Sequence, residues 1–156
     1  MPALKENDSA PDFTLTDQDG APHTLSALRG MWVLVYFYPK DDTPGCTKEA
    51  CTIRDNYPAF KKLGIVVLGI STDSEVSHQK FAEKYNLPFT LLADPKKEVV
   101  KKYGVFGEKK LMGKTFSGVS RTSFLVAPDG TIAKIYQKVK PERHADEVLE
   151  DLKKMR

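Results

Sequence analysis

An α/β fold, with a central mixed β-sheet flanked by helices on both faces and an N-terminal β-hairpin extension, is predicted by three observations. Two apolar runs without polar alternation, Trp32 to Tyr38 and Ile65 to Ser71, read as strands buried on both faces. Each is followed by a segment of helical character, the order expected of strands that alternate with helices. Near the C-terminus the habit changes. Thr122 to Ala127 and Thr131 to Gln137 are separated by Pro128-Asp129-Gly130, a hairpin signal that adds antiparallel pairing.

Taken in order, Asp12 to Leu15 and His23 to Leu25 read as short strands around an Asp19-Gly20 turn, and Trp32 to Tyr38 is the central strand. Thr47 to Arg54 has helical character, and Pro58 breaks or kinks it soon afterwards. After Ile65 to Ser71 comes a capped helix over about Asp73 to Asn86, with Val76, Phe81 and Tyr85 on one broad apolar face. Phe89 to Ala93 is the next strand. Asp94 then caps a helix that opens at Pro95, runs to Tyr103 and stops at Gly104. Beyond the hairpin, Pro141 opens a final helix to the C-terminus. A thioredoxin-like architecture satisfies this order.

The chain is expected to be a single domain over residues 1–156, since it has neither internal repeats nor a Ser/Gly/Pro-rich linker. At this length folding buries roughly 68–70% of the unfolded chain's surface, so neither a disulfide framework nor a structural metal is required. The net charge of +3 is too small for a dedicated nucleic-acid binder. The longest apolar run, Met31 to Tyr38, is too short to span a bilayer, and the first residues lack a secretory pattern. Cytoplasmic residence is therefore expected. Basic residues gather in 95–121, eight Lys and Arg against Glu98 and Glu108, which reads as a solvated helix and loop surface or as a docking face for an acidic partner.

Chemistry concentrates in the segment Tyr38 to Cys51. It leaves the end of a central strand through two prolines and a glycine and enters a helix, which places Cys46 at a helix N-terminus. Free amides and the positive helix end favour a thiolate there. A thiol of ordinary acidity is only about 3% ionised at pH 7, and such surroundings can raise the reactive fraction roughly thirty-fold. Cys51 lies five residues on. In an intact helix that spacing gives a Cα separation of roughly 8.6 Å, beyond the ~7 Å a disulfide can bridge, so the two sulfurs join only if the helix unwinds. Cys46 as the attacking sulfur and Cys51 as the resolving one is the hypothesis this spacing raises.

Other uses of two cysteines fit less well. Four residues intervene where a C-x-x-C motif needs two, and the scattered His23, His78 and His144 read as surface or satisfied histidines rather than as zinc ligands. Phosphate-cradling, metalloprotease and serine-hydrolase patterns are absent from the sequence. Two functions from other classes stay open at this level. One is a general thiol-disulfide oxidoreductase; the other is a binding or holdase module using the basic 95–121 face.

Pro39-x-x-x-Thr43-x-x-Cys46 resembles the active-site signature of peroxiredoxins, and GCTKEAC resembles that of the peroxiredoxin Q, or bacterioferritin comigratory protein, subgroup. APDFTLTDQDG, GISTDS, LPFTLLAD and GKTFSGVSRTSFLVAPDG extend the likeness over nearly the whole chain. The resemblance implies a thioredoxin-like fold. It also implies thiol-dependent reduction of hydrogen peroxide and organic hydroperoxides without metal or other cofactor, recycling by a thioredoxin-like reductant, and a monomer or weak homodimer. Residue by residue, it makes Cys46 the peroxidatic thiol and Cys51 the resolving thiol. Arg121 becomes the active-site cation, Thr43 a hydroxyl aimed at the sulfur or the peroxide, Pro39 a shield over the pocket, and Glu49 an organiser of hydrogen bonds around it.

Overall fold

The computed structural model describes residues 4–111 and 113–155. Residues 1–3 and 112 of the expected domain, and Arg156 at the end of the expected final helix, lie outside the described residues. In chain order the elements are β1 (Thr14–Asp17), β2 (Pro22–Thr24), a 3-10 turn (Leu25–Leu28), β3 (Trp32–Phe37), α1 (Pro44–Asp55) and α2 (Tyr57–Lys62). They continue with β4 (Ile65–Ser71), α3 (Glu75–Tyr85), β5 (Thr90–Ala93), α4 (Glu98–Lys102), β6 (Phe106–Leu111) and β7 (Lys114–Val119). The chain closes with β8 (Thr122–Val126), β9 (Ile132–Tyr136) and α5 (His144–Met155).

Among the described residues the main sheet has the order β2-β1-β5-β4-β3-β8-β9. Strands β3, β4 and β5 run parallel, and β1, β2, β8 and β9 extend them antiparallel. This is a thioredoxin-like fold with a mixed sheet. Strict alternation sends Leu34, Tyr36 and Tyr38 into one layer and Val33, Val35 and Phe37 into the other. On the first side they meet Ala50 and Ile53 of α1, Phe60 of α2, Phe81 of α3, and Val148 and Leu152 of α5. On the second they meet Val99, Val100 and Tyr103, together with Phe13 and Leu25 from the N-terminal part. Both faces of the central strand are covered, which is why its sequence shows no polar alternation. No helix among the described residues is long and apolar enough to cross a membrane.

The structure corrects the sequence expectations in four places. Helix α4 starts at Glu98 rather than Pro95, because Lys97 takes a left-handed conformation (φ 63°) and the buried Asp94 carboxylate reaches past it to the Val100 amide at 2.9 Å. Helix α5 begins at His144, after a turn at Pro141. Val76, expected on the apolar face of α3, is 59% exposed; Phe81 is buried there as expected, Tyr85 is partly buried beside the core, and His78 takes the remaining buried position. The basic stretch read as helix and loop contains a two-stranded hairpin, β6 with β7, closed at Leu111 and Lys114. Its base is held to α4 by the Lys97 and Lys101 ammonium groups, 5.3 and 5.8 Å from the centre of the Phe106 ring.

Candidate active site

Helix α1 begins where the chain turns back from the carboxyl end of β3, the edge at which open α/β sheets usually hold their ligands. Thr43 is the N-cap, with extended backbone, and Pro44 takes the first helical position, where its missing N–H is no loss. Cys46 therefore sits in the first turn, near the amides left without helical partners. It is 2% exposed and packs within the first core layer.

Arg121 comes from the residue before β8, the strand hydrogen-bonded to β3. That pairing carries a residue 75 positions away back to the start of α1. Its guanidinium lies within hydrogen-bonding reach of the Cys46 sulfur and donates from Nη1 to Glu49 Oε1 at 2.9 Å. Burial works against the Arg121 charge, but the adjacent Cys46 and Glu49 outweigh it and hold the group above its ordinary value. The side chain is 18% exposed, so the cation points into the site and not into bulk solvent. Gly45 makes the approach possible: a Cβ there would lie 2.8 Å from Arg121 Nη2.

Glu49, one turn into α1, is fully buried. Burial pushes its carboxyl up to about 7, and the Arg121 guanidinium offsets only part of that rise. Its Oε2 and the Tyr36 hydroxyl are buried atoms for which no hydrogen-bond partner is found among the described residues. Tyr36 leans over Gly69, its partner across β3 and β4, where a Cβ would come within 2.7 Å of the ring. Burial, then the charges of Glu49 and Cys46, raise the Tyr36 phenol well above its ordinary value.

The remaining candidates are placed as follows. The Thr43 hydroxyl donates to the Lys40 carbonyl at 2.9 Å, so its proton closes a turn and only its lone pairs are free to receive. Pro39 is half-buried where the chain leaves β3. Cys46 and Cys51 are both free thiols within one intact helix. Cys51 is partly buried, and this burial raises its thiol despite the nearby Arg54. Thr52 fastens the middle of α1 from outside: its hydroxyl reaches the Glu49 carbonyl at 2.9 Å and the Pro141 carbonyl at 3.0 Å.

His78 and His144 are satisfied core residues, and His23 pairs with Asp17 at 2.6 Å. One trio, Asp41, Asp73 and His78, has ligand-type atoms within 4.8 Å of one another. Those atoms are already engaged by Tyr38, Ser71, Ser77 and the Asp41 amide, which makes the trio a hydrogen-bonded cluster. Sequence reasoning did not find Tyr36 as part of this neighbourhood, because contacts across strands leave no local spacing to read; Asp41 and Gly45 fall inside the segment it singled out, but their contacts with His78 and Arg121 are between residues far apart in the chain.

Comparison with known proteins gives a consistent picture. A family model described as the AhpC/TSA family matches residues 7–135. Peroxiredoxin Bcp of Escherichia coli strain K12 is 50% identical over 153 residues, covering 98% of each chain. A structure of Xanthomonas campestris bacterioferritin comigratory protein, studied for its alkyl peroxide reduction activity, superimposes with a TM-score of 0.87 at 38% identity. It covers 92% of this chain and 91% of that one. A cysteine-to-serine mutant of Xylella fastidiosa PrxQ gives a TM-score of 0.93 at 31% identity, with 99% of both chains covered.

Proposed function

Because the chain belongs to the AhpC/TSA family, among the Bcp and peroxiredoxin Q proteins, and is thus a thiol-dependent peroxidase, we propose that Cys46 is its attacking sulfur and Cys51 its resolving one. The observation that carries this reading is the Arg121 guanidinium beside Cys46, over Gly45 and paired with Glu49, at the start of α1. The Cys46 thiolate attacks one oxygen of the peroxide and the O–O bond breaks. The departing oxygen takes a proton and leaves as water or alcohol, and the sulfur becomes a sulfenic acid. Arg121 and the amides of the first turn stabilise charge on both oxygens as it develops. Thr43 receives a hydrogen bond from the incoming hydroperoxide, Pro39 shields the pocket, and Glu49 orients Arg121.

Cys51 then condenses with the sulfenic acid, forming the S–S bond and releasing water. Two sulfurs five residues apart on α1 meet only after the helix unwinds. A thioredoxin-like dithiol restores both thiols by exchange. A sulfur only 2% exposed does not suit a general carrier of disulfides between proteins, which must present its thiol to a protein partner, whereas a hydroperoxide needs far less room.

Further parts of the reading are that residues 1–156 form one domain and that the protein works in the cytoplasm without metal, cofactor, membrane or nucleic acid, as a monomer or weak homodimer. In support of the last, the exposed large hydrophobic residues among the described ones, Met31 just before β3, Val76 on α3 and Met155 at the end of α5, lie on separate parts of the chain. Cys46→Ser is expected to abolish peroxide turnover. Cys51→Ser should complete one fast oxidation and then stall, with a sulfenic acid at Cys46 detected by mass spectrometry. Parent-level turnover by Cys46→Ser would remove the assignment.

A further inference from the structure

A second buried polar cluster lies just upstream of α1, and the sulfur chemistry makes no use of it. Tyr38, the residue after β3, donates its hydroxyl to Asp41 Oδ1 at 2.6 Å. Asp41 Oδ2 accepts the Ser77 hydroxyl at 2.7 Å and faces His78 Nδ1 at 2.7 Å. The Asp41 amide donates to Asp73 Oδ2 at 2.8 Å, which also takes the Ser71 hydroxyl at 2.7 Å. The other ring nitrogen of His78, Nε2, meets the Leu92 carbonyl at 2.9 Å. His78 is completely buried and Asp41 nearly so.

Donor and acceptor accounting fixes how this cluster is wired. A carbonyl only accepts, so Nε2 carries a hydrogen, and the Nδ1 to Oδ2 contact is closed by one proton shared between ring and carboxylate. Asp41 is thereby tied through its amide and both carboxylate oxygens to the end of β3, the β4 to α3 junction and α3 itself, and through the ring to β5. Residues 39–43 contain both Pro39 and Thr43 and lead directly into Cys46. A buried network with its hydrogen bonds satisfied rigidifies the backbone it holds.

We propose that His78 is a positioning residue of the peroxide reaction: through Nδ1 it holds Asp41, and so holds the 39–43 loop in the arrangement that presents Thr43 and Cys46 to the hydroperoxide. This rests on Cys46 being the attacking sulfur. Displacement of reacting groups by an ångström can lower a rate by about two orders of magnitude, so the clamp has room to matter.

Two substitutions separate positioning from packing, because the amide nitrogen of asparagine mimics Nδ1 and that of glutamine mimics Nε2. The measurements are the single-turnover rate of oxidation by hydrogen peroxide, with mass spectrometry locating the oxidised sulfur, the rate of Cys46 alkylation by iodoacetamide, and the melting temperature. His78→Gln is expected to oxidise at least about tenfold more slowly with alkylation unchanged within about twofold, and His78→Asn to keep its peroxide rate within about threefold of the parent. Equal losses in the two variants that track their melting temperatures, or a parent-level rate in His78→Gln, overturn the positioning role. If His78→Gln does not fold, Ser77→Ala removes a donor from the same Asp41 oxygen. It should slow peroxide oxidation about two- to fivefold at unchanged alkylation, and an unchanged rate overturns the proposal. Failure of the parent itself to oxidise at Cys46 fells the underlying assignment together with this one, whereas an oxidised parent with an unaffected His78→Gln fells only the clamp.

Discussion

Gly45 shows how much of the site depends on one missing side chain. The Arg121 guanidinium occupies the space a Cβ would need, 2.8 Å from Nη2 and 3.5 Å from Cζ. The tip of an arginine normally yields easily, but this one is engaged by both Glu49 and Cys46. Gly45→Ala should therefore leave the fold intact and push the cation off the sulfur, lowering the peroxide oxidation rate by about 10²-fold. Stopped-flow oxidation and a thermal melt of the same variant check this; a parent-like rate would mean that the guanidinium finds an equivalent seat. As candidates, Cys46 and Cys51 were legible from their spacing, and Arg121 from the motif that carries the family resemblance. Asp41 and His78 were not, since 37 residues separate them and only the packing of α3 against the sheet brings them together.

The same division holds for the elements. The strands β3 and β4 were legible because burial on both faces demands unbroken apolar sequence, and the β8 to β9 hairpin because its turn residues announce it. The β6 to β7 hairpin was hidden, since its lysines and glycines blur the alternation that marks a strand. Helix α1 extends three residues earlier than its propensities suggest, because Pro44 and Gly45 are tolerated in a first turn. In the proposed cycle this helix is also the element that opens for Cys51 to reach Cys46, and Thr52 fastens it to the segment leading into α5 through the Pro141 carbonyl. Thr52→Val keeps the shape and removes the hydroxyl. Loss of about 1 kcal/mol from the closed helix raises the unwound fraction roughly fivefold. Disulfide formation after a stoichiometric pulse of peroxide, followed by acid quench and mass spectrometry, should accelerate by a similar factor while the first oxidation step keeps its rate. An unchanged rate of disulfide formation would show that the latch does not gate the opening.

At the scale of the whole molecule, the site is built by burying a carboxyl in the core, and this leaves a signature in the stability of the entire fold. Glu49 is pushed up to about 7 by burial, against an ordinary value of 4.5. Between those values the folded chain holds a proton that the unfolded chain has released, so stability falls as pH rises from about 4.5 through about 7 and is level above that. At about 1.4 kcal/mol per pH decade, the window amounts to roughly 3 kcal/mol. Other groups pull the opposite way. Burial lowers His144, whose neutral folded form adds a stability that is lost as pH falls below 6.5. Asp17 and Asp151, held low by His23 and Lys134 respectively against their own burial, stabilise above 3.8 and lose that contribution in acid. The raw pH profile is therefore a sum, and the contribution of Glu49 is isolated by subtracting that of Glu49→Gln, which cannot ionise. Urea unfolding at pH 5, 6, 7 and 8 should show the parent losing stability relative to Glu49→Gln up to about pH 7 and no further, by an amount of order 3 kcal/mol. A difference that stays constant from pH 5 to 8 would mean that the carboxylate is already ionised in the folded protein at pH 5, with Arg121 compensating its burial in full.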